Sequence, residues 1–253
     1  MKPQLITSRQ NKVFKHFLEL LDTRGINENG KALVFGKKAV ADLVKNSSTM
    51  KNCLGIIYPE GYELEFKVDF TFYSVSEGLF KELDIFRTDS PILIVRIPDF
   101  NDFSPSENLP GCSVFVPFQD PRNMGGILRT AAAFGVNQII LGPGAANPFN
   151  PLSSRAASGT LFSHKYYKCL TDWEFEFGNN VSVALDLNGT SLDKFSFPKD
   201  FIFVPGREGQ GQPKNYLPTH RVNIPISKDM DSLNAMVATS IALYQWSTST
   251  SRR

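Results

Sequence analysis

The sequence predicts an α/β fold in two domains joined by a short linker. In both halves of the 253-residue chain, short apolar strand-like runs alternate with stretches that have helical spacing. Between the halves, residues 99–111 are rich in Pro, Asn, Asp and Ser, a composition typical of linkers. We therefore expect one domain at 1–98, a linker at 99–111 and a second domain at 112–253.

The first half opens with a helix. Thr7-Ser8 can cap it, and apolar residues recur at helical spacing from Val13 to Leu21. Gly25 and the cluster 27–30 are expected to end it. The remaining predicted elements are, in order, a strand at 32–35, a helix at 37–44, strands at 55–58 and 70–73, a helix at 77–83 and a strand at 92–95.

The second half repeats the alternation and ends in a helix. That helix is expected to be strongly amphipathic, with Asp231 or Ser232 as its cap. Its shared apolar face would carry Leu233, Met236, Val237, Ile241 and Tyr244. The elements before it are a strand at 113–118, a helix with apolar residues at 127–134 that stops at Gly135, a strand at 138–141, a small-residue helical segment at 153–162, and strands at 181–187, 201–204 and 222–226.

Composition narrows the class of protein. Hydrophobic residues make up 42% of the chain, enough for a packed core, but no apolar run approaches the ~20 residues that span a bilayer. The ten N-terminal residues are polar and lack a signal-peptide core. The three cysteines and three histidines are scattered without metal-ligand spacing. We expect a cytoplasmic protein with no membrane segment and no metal site.

Charge is unevenly distributed. Residues 1–51 contain ten Lys or Arg against four Asp or Glu, although the whole chain carries only +2. Such a local excess is typical of a surface that contacts phosphate backbones. Lysines that only solvate helix faces would give the same pattern.

Three strand exits in the second half carry the polar residues of interest. The first, 123–131, places Asn123 and two glycines near a helix start, where backbone amides attract anions. Asn123 is expected on the loop, and Arg129, six positions later, should not share its helical face. The second, 204–211, is a glycine-rich turn around Glu208, typical of a nucleoside-like ligand site. The third, 232–234, reads Ser-Leu-Asn.

Each segment also has a purely structural interpretation. Asn123 can be a helix cap and Arg129 a surface residue, the glycine turn can simply reverse the chain, and helix capping explains Ser232 better than Asn234. A fourth stretch, 153–160, is rich in small residues around Arg155, which can pair with a carboxylate or a phosphate.

Taken together, in this order and spacing, the three segments resemble the signature motifs of the SpoU (TrmH-like) family of RNA ribose 2′-O-methyltransferases. The resemblance covers about residues 112–247. It implies a parallel α/β sheet with a deep trefoil knot, S-adenosylmethionine bound in a bent form within the knot, and a homodimer formed through the C-terminal domain. About residues 5–97 resemble the RNA-binding module fused to many members, through Thr7-Ser8…Asn11 and Val34-Phe35-Gly36. A glutamate common in the latter segment is absent here.

Carried over position by position, the resemblance assigns three groups of residues. The active-site set is Asn123, Arg129, Glu208, Ser232 and Asn234. The cofactor pocket is expected from Leu185, Leu187, Gly189, Val204, Pro205, Gly206, Ile224, Ile226, Ser232 and Leu233. The residues expected to bind RNA are Arg9, Lys12, Lys37, Lys38 and Arg155.

The implied reaction is methyl transfer from S-adenosylmethionine to a ribose 2′-hydroxyl of RNA, with ribosomal RNA favoured. Arg129 would contact the target's phosphate and 2′-hydroxyl, either as an electrostatic clamp or as proton acceptor; an arginine normally stays protonated, which favours the clamp. Asn123 and Asn234 would orient the ribose, Glu208 the pocket loop, and Ser232 the last helix and the substrate. The alternatives are a tRNA 2′-O-methyltransferase and a non-catalytic RNA-binding protein that keeps the fold.

Overall fold

The structure, a computed structural model, describes residues 3–64, 69–169, 177–206, 211–213 and 216–250, the side chain of 250 excepted. The chain divides into two compact units. The N-terminal unit comprises Met1–Pro98 and Asn147–Phe162, and the C-terminal unit comprises Asp99–Ala146 and Ser163–Arg253.

Ten elements precede residue 98. In chain order they are β1 (Gln4–Ile6), α1 (Lys12–Glu19), α2 (Thr23–Asn29), β2 (Lys31–Val34), α3 (Lys37–Lys45), α4 (Ser47–Met50), β3 (Cys53–Pro59), β4 (Thr71–Val75), α5 (Glu77–Leu83) and β5 (Ile92–Arg96). The five strands form one sheet in the order β1-β4-β3-β5-β2. β1, β4 and β3 are parallel, whereas β5 is antiparallel to both β3 and β2. Buried apolar side chains from α1, α5 and these strands form one core, which makes this half the small α/β unit that the sequence predicts.

The first helix is followed by a second one, α2, which the sequence analysis missed. The cluster expected to end α1 instead forms α2, because the Asp22 side chain accepts a hydrogen bond from the Arg24 amide at 2.8 Å and starts a new helix. Gly30, with φ +61°, ends it in the left-handed conformation that favours glycine.

In the described residues of the second half there are ten further strands and α-helices, besides two short 3-10 helices (Thr160–Phe162 and Leu192–Lys194). The ten are β6 (Asn101–Asp102), β7 (Cys112–Val116), α6 (Pro121–Ala133), β8 (Gln138–Leu141), α7 (Pro151–Ala157), β9 (Lys165–Lys168), β10 (Ser182–Ser191), β11 (Phe201–Val204), β12 (His220–Asn223) and α8 (Ala235–Thr250). Seven strands pair in the order β12-β10-β11-β7-β8-β9-β6, and every recorded pairing is parallel. The predicted parallel α/β sheet is therefore confirmed.

The segment 99–111, expected to be a linker, belongs to the C-terminal unit. β6 pairs with β9, and the Phe103 amide donates to the Lys168 carbonyl at 2.8 Å. Phe103 and Leu109 are buried in the core of this unit. These two apolar side chains outweigh the polar residues around them, because burying each removes a large apolar surface from water.

Residues 147–162 lie in the N-terminal unit although they fall within the expected second domain. Their helix α7 packs against β2, and Gly159 lies beside Ala39. The Arg155 guanidinium lies 5.8 Å from the centre of the Phe86 ring and fills the space next to Gly36, where no side chain could fit. Small residues let this helix approach the sheet closely, which the sequence pattern alone does not reveal.

Strand β10 is interrupted where it passes β12. Val222 pairs with both Leu185 and Thr190, so the register shifts across residues 186–189, which bulge out of the pairing with β12. Gly189 approaches the β12 backbone so closely that a Cβ there would lie 2.5 Å from the Val222 nitrogen. Only glycine permits this approach.

The last helix is apolar on two opposite faces rather than amphipathic. Thr239, Ala242 and Leu243 are fully buried, whereas Val237, Ile241 and Tyr244 are 41%, 38% and 57% exposed. The sequence predicts that this shared apolar face is buried. In the single chain it is exposed. A side of α8 between these two faces packs against α6, where the Ser240 hydroxyl lies 3.3 Å from that of Thr130 and the Tyr244 ring lies 5.9 Å from that of Phe134.

Among the described residues, no helix is long and apolar enough to cross a membrane. No three His, Cys, Asp or Glu side chains in the same residues are grouped as a metal ion would require.

His164 is buried between two backbone carbonyls of the C-terminal unit. Its Nδ1 lies 3.0 Å from the Val136 oxygen and its Nε2 lies 3.0 Å from the Leu128 oxygen. A neutral imidazole donates from only one nitrogen, so one of these contacts is not a hydrogen bond in the neutral ring. Burial lowers the pKa of His164 below its ordinary value of 6.5, while the two carbonyls act in the opposite direction.

This lowered pKa predicts that acid destabilises the C-terminal unit. The unfolded chain takes up a proton more readily than the folded one, so the stability contributed by His164 is complete above pH 6.5 and is lost as the pH falls toward the lower folded value. We expect the difference in unfolding midpoint between wild type and His164→Gln to shrink from pH 7.5 to pH 5. The exposed His220→Gln is the control for losing a histidine. A difference that does not change with pH would contradict the expectation.

The close approach at Gly189 predicts that Gly189→Ala destabilises the fold. Displacing the β12 backbone should cost about 1–3 kcal/mol in unfolding free energy, measured by chemical denaturation. The control is Gly78→Ala in α5, where a Cβ meets nothing within 4 Å. That change should stabilise by roughly 0.5–1 kcal/mol, because alanine is the better helix former. Equal stability of Gly189→Ala and wild type would remove this constraint.

Candidate functional site

A cavity of about 730 Å³ lies in the C-terminal unit, at the carboxyl ends of β10, β11 and β12. Strand ends of parallel sheets are the usual ligand site of α/β folds, and this volume is typical of small-molecule pockets. The lining residues come from all three strand exits that the sequence analysis identified. They are Asp120, Asn123, Leu185, Asp186, Leu187, Asn188, Gly206, Gly211, Gln212, Val222, Asn223, Ile224, Ile226, Ser232, Leu233, Asn234, Ala235 and Ala238.

The first exit contributes Asp120 and Asn123. Asp120 caps α6 by accepting from the Arg122 amide at 2.6 Å, and Pro121 begins the helix. Asn123 therefore lies in the first helical turn, half-buried, and not on the loop as expected. The proline extends the helix two residues upstream of Asn123, which places the amide side chain at the cavity.

Arg129 does not line the cavity. It is exposed on α6, six residues after Asn123. With about 100° of rotation per helical residue, the two side chains point in directions roughly 120° apart. Within one chain, the structure brings Asn123 to the cavity and leaves Arg129 outside it.

The second exit is the glycine-rich turn after β11. Gly206 and Gly211 line the cavity, and a Cβ on Gly206 would lie 3.0 Å from the Gly211 Cα, so the two ends of this turn approach closely. Glu208 lies outside the described residues. Val204 and Pro205, expected to bind the cofactor, are buried behind the lining, and Gly189 packs against β12 instead.

The third exit brings Ser232, Leu233 and Asn234 to the cavity. Asn234 is the cap of α8: its Oδ1 accepts from the Met236 and Val237 amides at 3.0 and 3.2 Å. The expectation that Asp231 or Ser232 caps this helix was wrong, because asparagine, itself among the best capping residues, lies immediately before Ala235. Within the described structure the Asn234 side-chain NH₂ makes no hydrogen bond, so it can still donate into the cavity.

The wall opposite α8 is the stretch where β10 bulges out of its pairing with β12. Leu185, Leu187, Ile224 and Ile226, expected from the sequence, line it together with Asp186 and Asn188, which fall within the expected range 185–189 but whose side chains were given no role. Asp186 forms an ion pair with Arg221, which also donates to the Tyr216 carbonyl at 3.0 Å. A break in the apolar run, at the Asp-Leu-Asn-Gly of 186–189, was the available signal.

Gln212 was also missed. Its Nε2 donates to the carbonyls of Leu185 and Val204, at 3.2 and 2.9 Å, and so joins the ends of β10 and β11. Because both partners can only accept, the orientation of the amide is determined. Its Oε1 is buried without a partner in the described structure. An unpaired buried acceptor is costly, and a ligand donor would satisfy it.

The chemistry of the lining favours binding and positioning. It contains no His, Cys, Lys or Tyr in the part that the structure describes, and of the side chains there that could act as nucleophiles, Asp120 caps α6, Asp186 pairs with Arg221 and Ser232 offers a hydroxyl. Tyr216 is buried in the core of this unit. Burial raises the pKa of Tyr216 to about 12, so its phenol stays protonated at neutral pH. The site offers amides, a hydroxyl and apolar surface to a ligand that carries its own reactive group.

The residues expected to bind RNA all lie in the N-terminal unit. Lys12, Lys37, Lys38 and Arg155 are exposed. Arg9 is also exposed but forms an ion pair with Glu82 at 2.8 Å.

Comparison with known proteins identifies relatives of both halves. The model of the SpoU rRNA Methylase family matches residues 112–244. Ribosomal RNA small subunit methyltransferase G 2 of Syntrophobacter fumaroxidans is 37% identical over 98% of this chain, which spans about half (50%) of that protein. The 23S rRNA (guanosine(2553)-2′-O)-methyltransferase RlmP of Bacillus subtilis is 25% identical over 94% of this chain and 97% of its own length.

Solved structures show the same fold. The SpoU methyltransferase AviRb from Streptomyces viridochromogenes, in complex with the cofactor AdoMet, is similar with a TM-score of 0.78 at 23% identity, over 95% of this chain and 98% of that one. An AdoMet-bound rRNA methyltransferase from Sinorhizobium meliloti reaches 0.79 at 21% identity, over 96% and 97%. Because the family model covers more than half of the 253 residues, this chain belongs to the SpoU rRNA methylase family.

Proposed function

We propose that this protein transfers a methyl group from S-adenosylmethionine to a ribose 2′-hydroxyl of RNA, with ribosomal RNA as the favoured substrate. One observation carries the proposal: three chain segments, separated by dozens of residues, line a single cavity with Asn123, Gly206 and Asn234. The relatives named above as ribosomal RNA methyltransferases support the choice of RNA.

The cavity suits the cofactor in size and chemistry. Its volume of about 730 Å³ exceeds what a nucleoside with an amino-acid tail occupies. Leu185, Ile224 and Leu233 offer apolar surface to an adenine ring. The unpaired Gln212 Oε1 is an acceptor for a ligand amine or hydroxyl. When bound there, the cofactor supplies an activated methyl group.

The protein's residues then position the nucleophile. The Asn234 side-chain NH₂ and the Asn123 amide lie on the cavity lining, where they would hold the ribose. Arg129 would clamp the neighbouring phosphate and stabilise charge that develops at the 2′-oxygen. Since Arg129 lies outside the cavity of its own chain, this role requires a second chain.

We propose that a homodimer supplies it. The exposed face of α8 carries Val237, Ile241 and Tyr244 at positions i, i+4 and i+7, an apolar stripe that a second copy would cover. Arg129 is exposed on α6, and α6 packs against α8. Arg129 therefore lies on the same pair of helices as the apolar stripe. In this arrangement the partner's Arg129 would complete the cavity.

Two further features implied by the resemblance enter as proposals. The departure of residues 186–189 around Val222 supports a trefoil knot in the C-terminal unit. The exposed Lys12, Lys37, Lys38 and Arg155 support RNA binding by the N-terminal unit. Arg155 is held above Phe86 with its guanidinium open to solvent, which suits a phosphate.

The activity test uses labelled S-adenosylmethionine with unmodified ribosomal RNA and, separately, tRNA. We expect label in ribosomal RNA at a site that resists alkaline hydrolysis, because a 2′-O-methyl group blocks the attacking hydroxyl. If only tRNA is labelled, tRNA and not ribosomal RNA is the substrate. If neither RNA is labelled, the result contradicts an enzymatic function.

Arg129→Ala should lower turnover by about 10²–10³-fold while calorimetry shows unchanged cofactor affinity, because the residue acts on the transition state. Arg129→Lys should recover only part of the activity, since lysine lacks the planar fork. Arg24→Ala, which removes an exposed charge paired with Glu28, is the control. Full turnover of Arg129→Ala would exclude this residue from the mechanism.

A charge on the exposed face of α8 should dissociate the dimer. We expect Ile241→Glu to sediment as a monomer and to lose methyl transfer, because a buried carboxylate without a partner is strongly unfavourable. Ser106→Glu adds the same charge at an exposed position outside α6 and α8 and should sediment like wild type. A wild-type protein that is monomeric at micromolar concentration would overturn the proposed assembly.

A further inference from the structure

The cavity wall formed by residues 186–189 is an irregular stretch of β10. Register pairing between β10 and β12 stops after Leu185 and resumes at Thr190, so residues 186–189 have no register partner in β12. Three of these four residues line the cavity. A wall of this kind keeps its shape only if other groups hold it.

Two alternate residues of β12 hold it at both ends. Arg221 forms the ion pair with Asp186 at the start of the wall. The Asn223 side-chain NH₂ donates to the Gly189 carbonyl at 2.7 Å and to the Leu187 carbonyl at 3.4 Å, at its end. Because side chains two apart lie on the same face of a strand, Arg221 and Asn223 act together, while Val222 between them is fully buried.

The two contacts differ in what they fix. The ion pair holds one side chain of the wall, and the Asp186 carboxylate also accepts from the Asn188 amide at 2.9 Å. Asn223 instead holds the main chain itself, by donating to the Leu187 and Gly189 carbonyls. Asn223 also lines the cavity, so the same residue joins the strand end to the wall beside the ligand.

We infer that Asn223, together with Arg221, is a positioning residue for the cofactor: it fixes the 186–189 wall in the shape that S-adenosylmethionine requires. The inference rests on the proposed function. Since the wall lies beside the cofactor and not at Arg129, loosening it weakens cofactor binding and leaves the transfer step intact once the cavity is filled.

The test compares Asn223→Ala and Asn223→Asp with wild type in the full chain. Aspartate has the same shape but only accepts, so it turns both donor contacts into repulsions. We expect the Kd for S-adenosylmethionine, measured by calorimetry, to rise about tenfold in the alanine variant and further in the aspartate variant. The KM for the cofactor should rise in parallel, with kcat at saturation within about twofold of wild type.

Asn179→Asp is the matched control, because it adds the same charge at an exposed asparagine of the same unit outside the lining. Its Kd should equal that of wild type. Circular dichroism establishes that each variant is folded; if either Asn223 variant is not, Asn223→Ser, which keeps a polar group too short to reach both carbonyls, takes its place with the same expectation.

The possible outcomes distinguish failure of the proposed function from failure of the positioning role of Asn223. Wild type that fails to bind S-adenosylmethionine would remove the proposed function itself. Wild type that binds, with folded Asn223 variants of equal Kd, would overturn the positioning role while leaving the function intact. A lowered kcat at unchanged cofactor KM would also overturn it, because that result places Asn223 in the transfer step.

Discussion

The close passage of β12 against β10 is the constraint on which the rest of the C-terminal unit depends. Val222 pairs on both sides of a four-residue departure, and Gly189 permits contact between backbones where any side chain would clash. That departure turns an ordinary strand end into a cavity wall. Without it, Leu185 and the residues after it would continue in the sheet and no enclosed site would form at this edge.

Near the contact between β10 and β12, several side chains both stabilise the fold and line the cavity. Asp120 and Asn234 both cap helices, and both line the cavity. Helix capping therefore does not compete with a functional interpretation of these residues. A cap directs the helix start, with its unpaired amides, toward the cavity, so the same hydrogen bonds that begin α6 and α8 also orient the site.

The second, exposed apolar face of α8 is the surface through which the proposed homodimer would form. One face, with Ala242 and Leu243, is buried in its own chain, and the other remains apolar and exposed. An amphipathic helix would have needed no partner. The exposed face and the position of Arg129 outside its own cavity point to the same requirement, a second copy, from independent observations.

Apolar periodicity, a local property of the chain, predicted the fold class and most strands and helices, and the resemblance to the SpoU family joined the three segments whose Asn123, Gly206 and Asn234 line the cavity. Tertiary structure decided the rest. Packing of Phe103 and Leu109 drew the expected linker into the second unit, and small residues let α7 join the first. The exposed face of α8, the absence of Arg129 from the cavity, and the contacts of Gln212 and Asn223 depend on which distant backbone lies nearby. Hydrogen bonds and burial between residues far apart in the chain leave no periodic trace in it, so only the folded structure reveals them.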